Sequence, residues 1–192
     1  LAMRQFAETI KTIATATGDV QRLGIIQAIE ACLEAAGIDE KDASTWSRPF
    51  PTLTDLHARL SESNEVEGVP FAVIHDLADF EIFAPEDPGV ELDAFFDDIT
   101  VIDLRPLAGA DKVIRAVLSF FMNAFFARMI QQGESLRESR TLPAGGKTDV
   151  RQIRRLLLVD EADDFIGLNL PSLKNVMQQG RAFGYGVVLS TQ

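Results

Sequence analysis

The stretch that decides the fold of this 192-residue sequence is Arg155-Leu156-Leu157-Leu158-Val159-Asp160-Glu161-Ala162-Asp163. Its run of four apolar residues is typical of a parallel strand that is buried on both faces of a sheet. Two carboxylates follow at the carboxyl end of that strand, where open α/β sheets bind their ligands. The stretch therefore predicts an α/β domain with two acidic side chains at the ligand-binding edge of a parallel sheet.

The acid pair has the chemistry that hydrolysis of a nucleoside triphosphate requires. Asp160 would hold Mg²⁺ through water, because Mg²⁺ is a hard cation that prefers oxygen ligands. Glu161 would orient and polarise the attacking water. Side chains alternate along a strand, so we expect the two carboxylates to point in different directions. Alternatively, Asp160 only begins a helix, where the helix dipole favours an acidic residue.

A second polar strand end closes the sequence. Residues 179–192 comprise the end of a helix, a glycine-rich turn and an apolar strand that finishes with Ser190-Thr191-Gln192. The amide of Gln192 could bond to both the γ-phosphate and the attacking water, which makes it a sensor candidate. Arg181 could stabilise phosphate charge, in its own subunit or across an interface as an arginine finger. Alternatively, Arg181 is a surface arginine that the dipole at a helix C-terminus favours.

The rest of the sequence predicts a helical region at 1–66 and an α/β domain at 67–192. Hydrophobic periodicity indicates helices at 3–16, 20–36, 52–60 and 69–83, with a turn at 84–89, and further helices at 111–132 and 171–179. A β-branched run predicts an additional strand at 99–104. The alternation of strands and helices from 99 to 190 predicts a parallel sheet with helices on both faces.

Residues 144–148 end in Gly-Lys-Thr but do not form a phosphate-binding loop. The pattern G-x-x-x-x-G-K-[ST] requires glycine at position 141, where the sequence has Thr141, and a polar stretch replaces the preceding strand. We interpret 133–150 as a flexible loop. From Gly133 to Arg155 six basic residues stand against three acidic ones, so this stretch is the best candidate in the chain for contact with a DNA phosphate backbone; the alternative is a solvated loop. The candidate contacts are Arg137, Arg140, Lys147 and Arg151.

Composition and charge exclude other classes of protein. A single cysteine, Cys32, excludes an internal disulfide framework and a cysteine-based zinc site. The net charge is −11, and thirteen acidic residues lie between Arg59 and Arg105 without a lysine or arginine, so that segment does not bind DNA. We interpret His57 and His75 as structural residues. The start at Leu1 and the end directly after a strand lead us to expect a fragment of a longer protein.

Residues 97–192 resemble the HerA/FtsK superfamily of hexameric DNA-pumping ATPases. The resemblance rests on the strand at 100–104, the Walker B stretch at 156–161, and Gly180-Arg181-Ala182-Phe183-Gly184 leading to Leu189-Ser190-Thr191-Gln192. Within that superfamily, residues 160–165 followed by Leu173-Lys174 and Gly180-Arg181 are most similar to the large ATPases of bacterial phosphorothioation-dependent DNA restriction.

The resemblance implies a partial RecA-like core at 67–192, preceded by a helical insertion or lid. It implies ATP and Mg²⁺ as substrate and cofactor, with Asp160 on the metal, Glu161 on water, Gln192 as sensor and Arg181 near phosphate. It further implies a cytoplasmic homo-hexamer that moves or unwinds DNA, has restriction-system subunits as partners and does not contact a membrane. Two alternatives stay open: a non-catalytic docking module on an ATPase-like scaffold, and a secretion or conjugation ATPase.

The family's phosphate-loop lysine has no counterpart here, and by the family's topology its strand and loop are expected N-terminal to Leu1. We therefore predict that the isolated chain binds ATP weakly or not at all. Calorimetric titration of the chain with ATP and Mg²⁺ tests this, and a dissociation constant in the micromolar range would show the prediction to be wrong.

Overall fold

The computed structural model describes residues 2–14, 17–63, 66–80, 92–141, 146–167 and 170–191, with side chains at all of these except 2, 92–94, 137–141, 149 and 164. The chain forms two compact units, Leu1–Val117 and Leu118–Gln192, which divide within one helix. This division differs from the boundary at residue 66 that the sequence suggested. The role of residues 1–66 as an insertion or lid stays a prediction.

The first unit is helical, as predicted for its beginning. Its helices are α1 (Ala2–Ile13), α2 (Asp19–Ala35), α3 (Leu53–Ser63), α4 (Val69–Asp79) and α5 (Leu92–Asp97), followed by the start of α6 (Asp111–Gln131). The apolar faces of the first four helices meet in a core whose largest fully buried side chains include Ile10, Ile25, Leu60, Ile74 and Leu77. The predicted turn at 84–89 lies outside the described residues.

Thr52 caps the start of α3. Thr52 Oγ1 accepts a hydrogen bond from the Asp55 amide at 3.1 Å, and the Thr52 amide donates to Asp55 Oδ2 at 2.7 Å. This reciprocal pair satisfies amides that the first turn of a helix leaves free. The hydrogen bonds that the Thr52 amide and the Thr52 hydroxyl donate to the Asp55 carboxylate lower the pKa of Asp55.

The predicted strand at 99–104 is wrong for the described residues. Ile99 and Val101 are 99% and 85% exposed, and no strand pairs with this segment. Asp103 instead accepts hydrogen bonds from the backbone and the guanidinium of Arg105, which lower the pKa of Asp103 to about 2 and lead into the 3₁₀ turn Arg105–Leu107. β-branched residues favour extended backbone, but a strand also needs a hydrogen-bonding neighbour.

The second unit contains the predicted parallel sheet. Strand β3 (Arg155–Val159) pairs with β4 (Tyr185–Leu189), and α7 (Ala162–Gly167) and α8 (Pro171–Phe183) connect them. Tyr185 packs edge-on against Phe125 of α6 with ring centroids 5.1 Å apart, and its hydroxyl donates to Gln132 Oε1 at 2.8 Å. Ser172 of α8 also hydrogen-bonds to Asn123 of α6. These contacts hold α6, α8 and the sheet together in one layered unit.

Only one face of this sheet is covered among the described residues. Leu156 and Leu158 are 52% and 71% exposed, and Val188 is exposed beside them, whereas Leu157 and Val159 are half-buried. The alternation reflects a sheet whose Tyr185 face packs on α6 while the other face is open. The expected burial of β3 on both faces is therefore not found, because no described helix covers the second face.

The predicted flexible loop at 133–150 is largely an antiparallel hairpin. Strand β1 (Arg137–Thr141) pairs with β2 (Lys147–Arg151), from Arg137 opposite Arg151 to Thr141 opposite Lys147. Both strands consist mainly of polar residues, so the sequence has no alternation of apolar and polar residues that would predict them. The backbone hydrogen bonds of a hairpin form regardless of side-chain polarity. Lys147 therefore starts a strand and does not join a strand to a helix, which confirms that the Gly-Lys-Thr segment is not a phosphate-binding loop.

Helix α6 is long and apolar enough, by length and composition, to cross a membrane. However, in the second unit its buried residues Leu118, Met122, Phe125 and Met129 recur at separations of three or four. That spacing marks one side of a helix packed against protein.

Gly184 is required at the junction of α8 and β4, and its replacement by alanine should destabilise the second unit. Its φ of +77° is left-handed, and an added Cβ would lie 2.3 Å from the Gln152 carbonyl oxygen. Gly133, with φ +68° and open space around it, isolates the backbone cost alone, about 1–2 kcal/mol. Urea denaturation should show a larger loss of unfolding free energy for Gly184→Ala than for Gly133→Ala. Equal losses would contradict this packing.

Candidate functional site

The carboxyl ends of β3 and β4 are joined by backbone hydrogen bonds. Val159 lies opposite Leu189 in the parallel register. The Ser190 amide donates to the Val159 carbonyl at 2.8 Å, and the Ala162 amide donates to the Ser190 carbonyl at 2.9 Å. Asp160 and Glu161 lie between Val159 and Ala162 in the sequence. They therefore share one edge of the sheet with Ser190. The edge predicted from the sequence is present, although the sensor candidate Gln192 lies outside the described residues.

The backbone at Glu161 adopts a left-handed conformation. Its φ is 54°, a positive value that is uncommon for a non-glycine residue and costs about 1 kcal/mol or more. The Glu161 amide donates to Asp160 Oδ1 at 3.1 Å across this turn. Because β3 ends at Val159, the turn sets the directions of the two carboxylates, and the strand alternation that we expected does not. Strained backbone of this kind is concentrated at functional sites.

Both acidic side chains are exposed at this edge. Asp160 lies two residues before α7 begins at Ala162, so the alternative role as an acid that the helix dipole favours stays open. No group of three or more His, Cys, Asp or Glu side chains in the described residues could hold a metal alone. Mg²⁺ in nucleotide sites needs only one or two carboxylates plus phosphates and water, and an exposed Asp160 fits that requirement.

Arg181 lies at the opposite end of the sheet from the acid pair. It occupies the last turn of α8, and the five-residue β4, about 16 Å long, then runs from Tyr185 towards the acidic edge. The structure thus does not bring Arg181 to Asp160 and Glu161 in its own chain, and its predicted role within one subunit is not supported. The alternative role across a subunit interface stays a prediction.

The exposed Arg181 lines an open cavity of about 940 Å³. The same cavity is bounded by polar residues of α8 and by apolar residues at the amino ends of the strands, including Gln178, Gln179, Ile153, Leu156 and Phe183. It therefore belongs to the edge of the sheet that is remote from the acid pair.

The predicted DNA contacts divide into three cases. Arg151 is wrong as a free phosphate contact: its side chain is 18% exposed and donates to the carbonyls of Ser135 and Ala182. Lys147 is exposed at the start of β2 and keeps its predicted role. The side chains of Arg137 and Arg140 lie outside the described part of the structure. The last carbonyls of a helix have no partner within the helix. Arg151 donates to such a carbonyl, that of Ala182, and is therefore not the surface cation that the sequence suggested.

His57 and His75 lie together, which no sequence pattern predicted. Their rings are 4.8 Å apart between α3 and α4, and His75 Nε2 lies 3.4 Å from Asp79 Oδ2. Residues 18 positions apart meet through helix packing, which no local spacing reveals. We retain the structural interpretation, since no group of three His, Cys, Asp or Glu side chains among the described residues is arranged to hold a metal ion.

Comparison with solved structures finds VirB4 of Thermoanaerobacter pseudethanolicus, with a TM-score of 0.58 and 18% sequence identity. The alignment covers 99% of this chain, which spans 64% of the VirB4 chain. No protein-family model matches the sequence, and no curated protein matches it. At this identity the likeness shows the fold alone. The chain has a partial RecA-like α/β fold, as the sequence predicted, and the likeness does not single out the HerA/FtsK superfamily.

Proposed function

We propose that this chain is the acid-pair-bearing part of an ATP-hydrolysing motor. The observation that carries the proposal is the hydrogen-bonded edge formed by Val159, Ala162 and Ser190, which presents Asp160 and a left-handed Glu161 to solvent. Carboxylates at the carboxyl ends of parallel strands lie where α/β folds bind ligands. The RecA-like fold supports the proposal, because α/β folds of this kind bind their ligands at that end of the sheet.

In this proposal the two carboxylates have separate tasks. Asp160 accepts hydrogen bonds from water bound to Mg²⁺, and Glu161 orients the attacking water and accepts its proton. When bound, Mg²⁺ neutralises charge on the β- and γ-phosphates. Gln192 follows Ser190 by two residues in the sequence, and we propose its amide as the group that senses the γ-phosphate.

The proposed site needs contributions from outside this chain segment. A phosphate-binding lysine is absent from the sequence pattern. Arg181 lies at the far strand end, so we propose that it stabilises phosphate charge on a neighbouring copy in a homo-hexameric ring. Because Arg181 is exposed at a helix end and remote from the acid pair of its own chain, it could contact phosphate across an interface but not within its own chain.

DNA is the proposed cargo of the motor, in the manner of the HerA/FtsK ATPases of bacterial restriction, acting in the cytoplasm with restriction-system subunits as partners. The resemblance of residues 97–192 supports this. The acidic excess is confined to the first unit, with 22 acidic and 9 basic residues, whereas the second unit has 7 and 9. The second unit, with exposed Lys147, is therefore the part that can approach a phosphate backbone.

A secretion or conjugation ATPase is the second candidate. The structural likeness to VirB4 supports it in part, because that likeness spans almost the whole chain, including the helical first unit. The two candidates share the acid pair and differ in what the motor moves.

Replacing Glu161 tests the hydrolytic proposal. In the full-length protein, Glu161→Gln should lower kcat for ATP hydrolysis by about 10²–10⁴-fold while retaining ATP binding, because the amide cannot accept the proton from water. Asp163→Asn, at an exposed acid two residues further on, is the matched control and should leave kcat nearly unchanged. Equal activity of Glu161→Gln and wild type would favour the non-catalytic docking module instead.

The cargo is tested by adding duplex DNA to the hydrolysis assay. We expect DNA to increase ATP turnover, and the increase to fall as salt rises, because phosphate contacts release counterions. Lys147→Glu should weaken the stimulation more than Lys174→Glu, which makes the same charge change on the exposed face of α8. Turnover that does not respond to DNA at low salt would contradict the DNA assignment and support the secretion alternative.

A further inference from the structure

The carbonyl of Ala182 is held by three donors from outside its helix. It accepts from the Ser135 amide at 3.0 Å, from Arg151 Nη1 at 2.8 Å and from Ser135 Oγ at 3.5 Å. A carbonyl in the last turn of α8 has no partner within the helix, so these bonds fix the helix end. Ala182 directly follows Arg181, and the position of this carbonyl therefore constrains the backbone that carries Arg181.

Arg151 links that helix end to the hairpin. It is the last residue of β2, and its guanidinium also donates to the Ser135 carbonyl at 3.0 Å and to Glu134 Oε2 at 3.3 Å. A planar guanidinium holds several acceptors in a fixed arrangement, which the single ammonium of lysine cannot reproduce. Arg151 thus joins three segments: the hairpin, the chain after α6, and the end of α8.

The other neighbours of Arg181 are fixed as well. A Cβ on Gly180 would lie 2.6 Å from the Tyr185 carbonyl oxygen, so the helix backbone lies directly against β4. The Gly184 carbonyl accepts from the Arg154 amide at 2.7 Å. The Arg181 side chain is nevertheless exposed and lines the cavity. An exposed cation on a backbone anchored on both sides is suited to reaching a partner at a defined position.

We infer that Arg151 is a positioning residue that sets the placement of Arg181 through the Ala182 carbonyl, and so ties the hairpin to that cation. The inference rests on the proposed function, in which Arg181 acts on phosphate in a neighbouring copy. Charge stabilisation across an interface depends on placement, and a displacement of about 1 Å can cost as much as 10²-fold in rate. Loss of Arg151 should therefore reduce catalysis through Arg181.

Arg154 provides the matched control. Its guanidinium also binds backbone carbonyls, those of Gln132, Gly133 and Glu134, but these lie at the end of α6. Arg154→Met thus removes a similar set of hydrogen bonds, and a similar share of stability, without removing a side-chain contact to α8.

The test is a double-mutant cycle in the full-length protein, with kcat and KM for ATP measured for each variant. Arg151→Met should lower kcat by about tenfold with KM nearly unchanged, and should have almost no further effect in the Arg181→Ala background. Arg154→Met should act equally in both backgrounds. Arg151→Lys should recover part of the loss, and it replaces Arg151→Met in the cycle if thermal unfolding shows that the methionine variant does not fold.

Additive effects of Arg151 and Arg181 would overturn the inference, as would a kcat that Arg181→Ala leaves unchanged. Glu161→Gln, measured in parallel, separates this failure from failure of the proposed function. If Glu161→Gln abolishes turnover while the cycle is additive, the ATPase proposal stands and the positioning role of Arg151 is wrong. If Glu161→Gln retains turnover, both are wrong.

Discussion

The hydrogen bonds from Ser190 to Val159 and from Ala162 to Ser190 are the constraint on which the site depends. They join two strands that are separated by α7 and α8 along the chain, and they do so where both strands end. The chain then turns through a left-handed Glu161. Without this junction the acid pair would be two exposed residues on a loop. With it, they occupy the ligand-binding edge of a parallel sheet.

The opposite edge of the sheet has a different construction. There, the guanidinium groups of Arg151 and Arg154 satisfy the free carbonyls at the ends of α8 and α6. Gly184 lets the chain pass between them into β4. One edge therefore exposes Asp160 and Glu161 on a strained turn. The other edge carries Arg181 at a helix end that is held by hydrogen bonds. In the homo-hexamer proposed above, these two edges would have complementary charge.

The elements with strong local signals were predicted correctly. The apolar run of β3 and the capped start of α3 at Thr52 carry their structure in a few neighbouring residues. The failures involve partners that no local pattern specifies. Residues 99–104 have strand composition without a pairing strand, and the polar hairpin has a ladder without a hydropathy period. From the sequence alone Arg151 is predicted to be a surface cation. In the structure it donates to carbonyls after α6 and at the end of α8.

An experimental structure of the full-length Glu161→Gln variant with ATP and Mg²⁺ tests the central claim most directly. We predict that the terminal phosphate lies at the edge formed by Asp160 and Ser190, with Asp160 bonded to Mg²⁺ or its water and Gln192 within hydrogen-bond reach of the γ-phosphate. A nucleotide bound at another edge of the sheet, with Asp160 remote from the metal, would contradict the account.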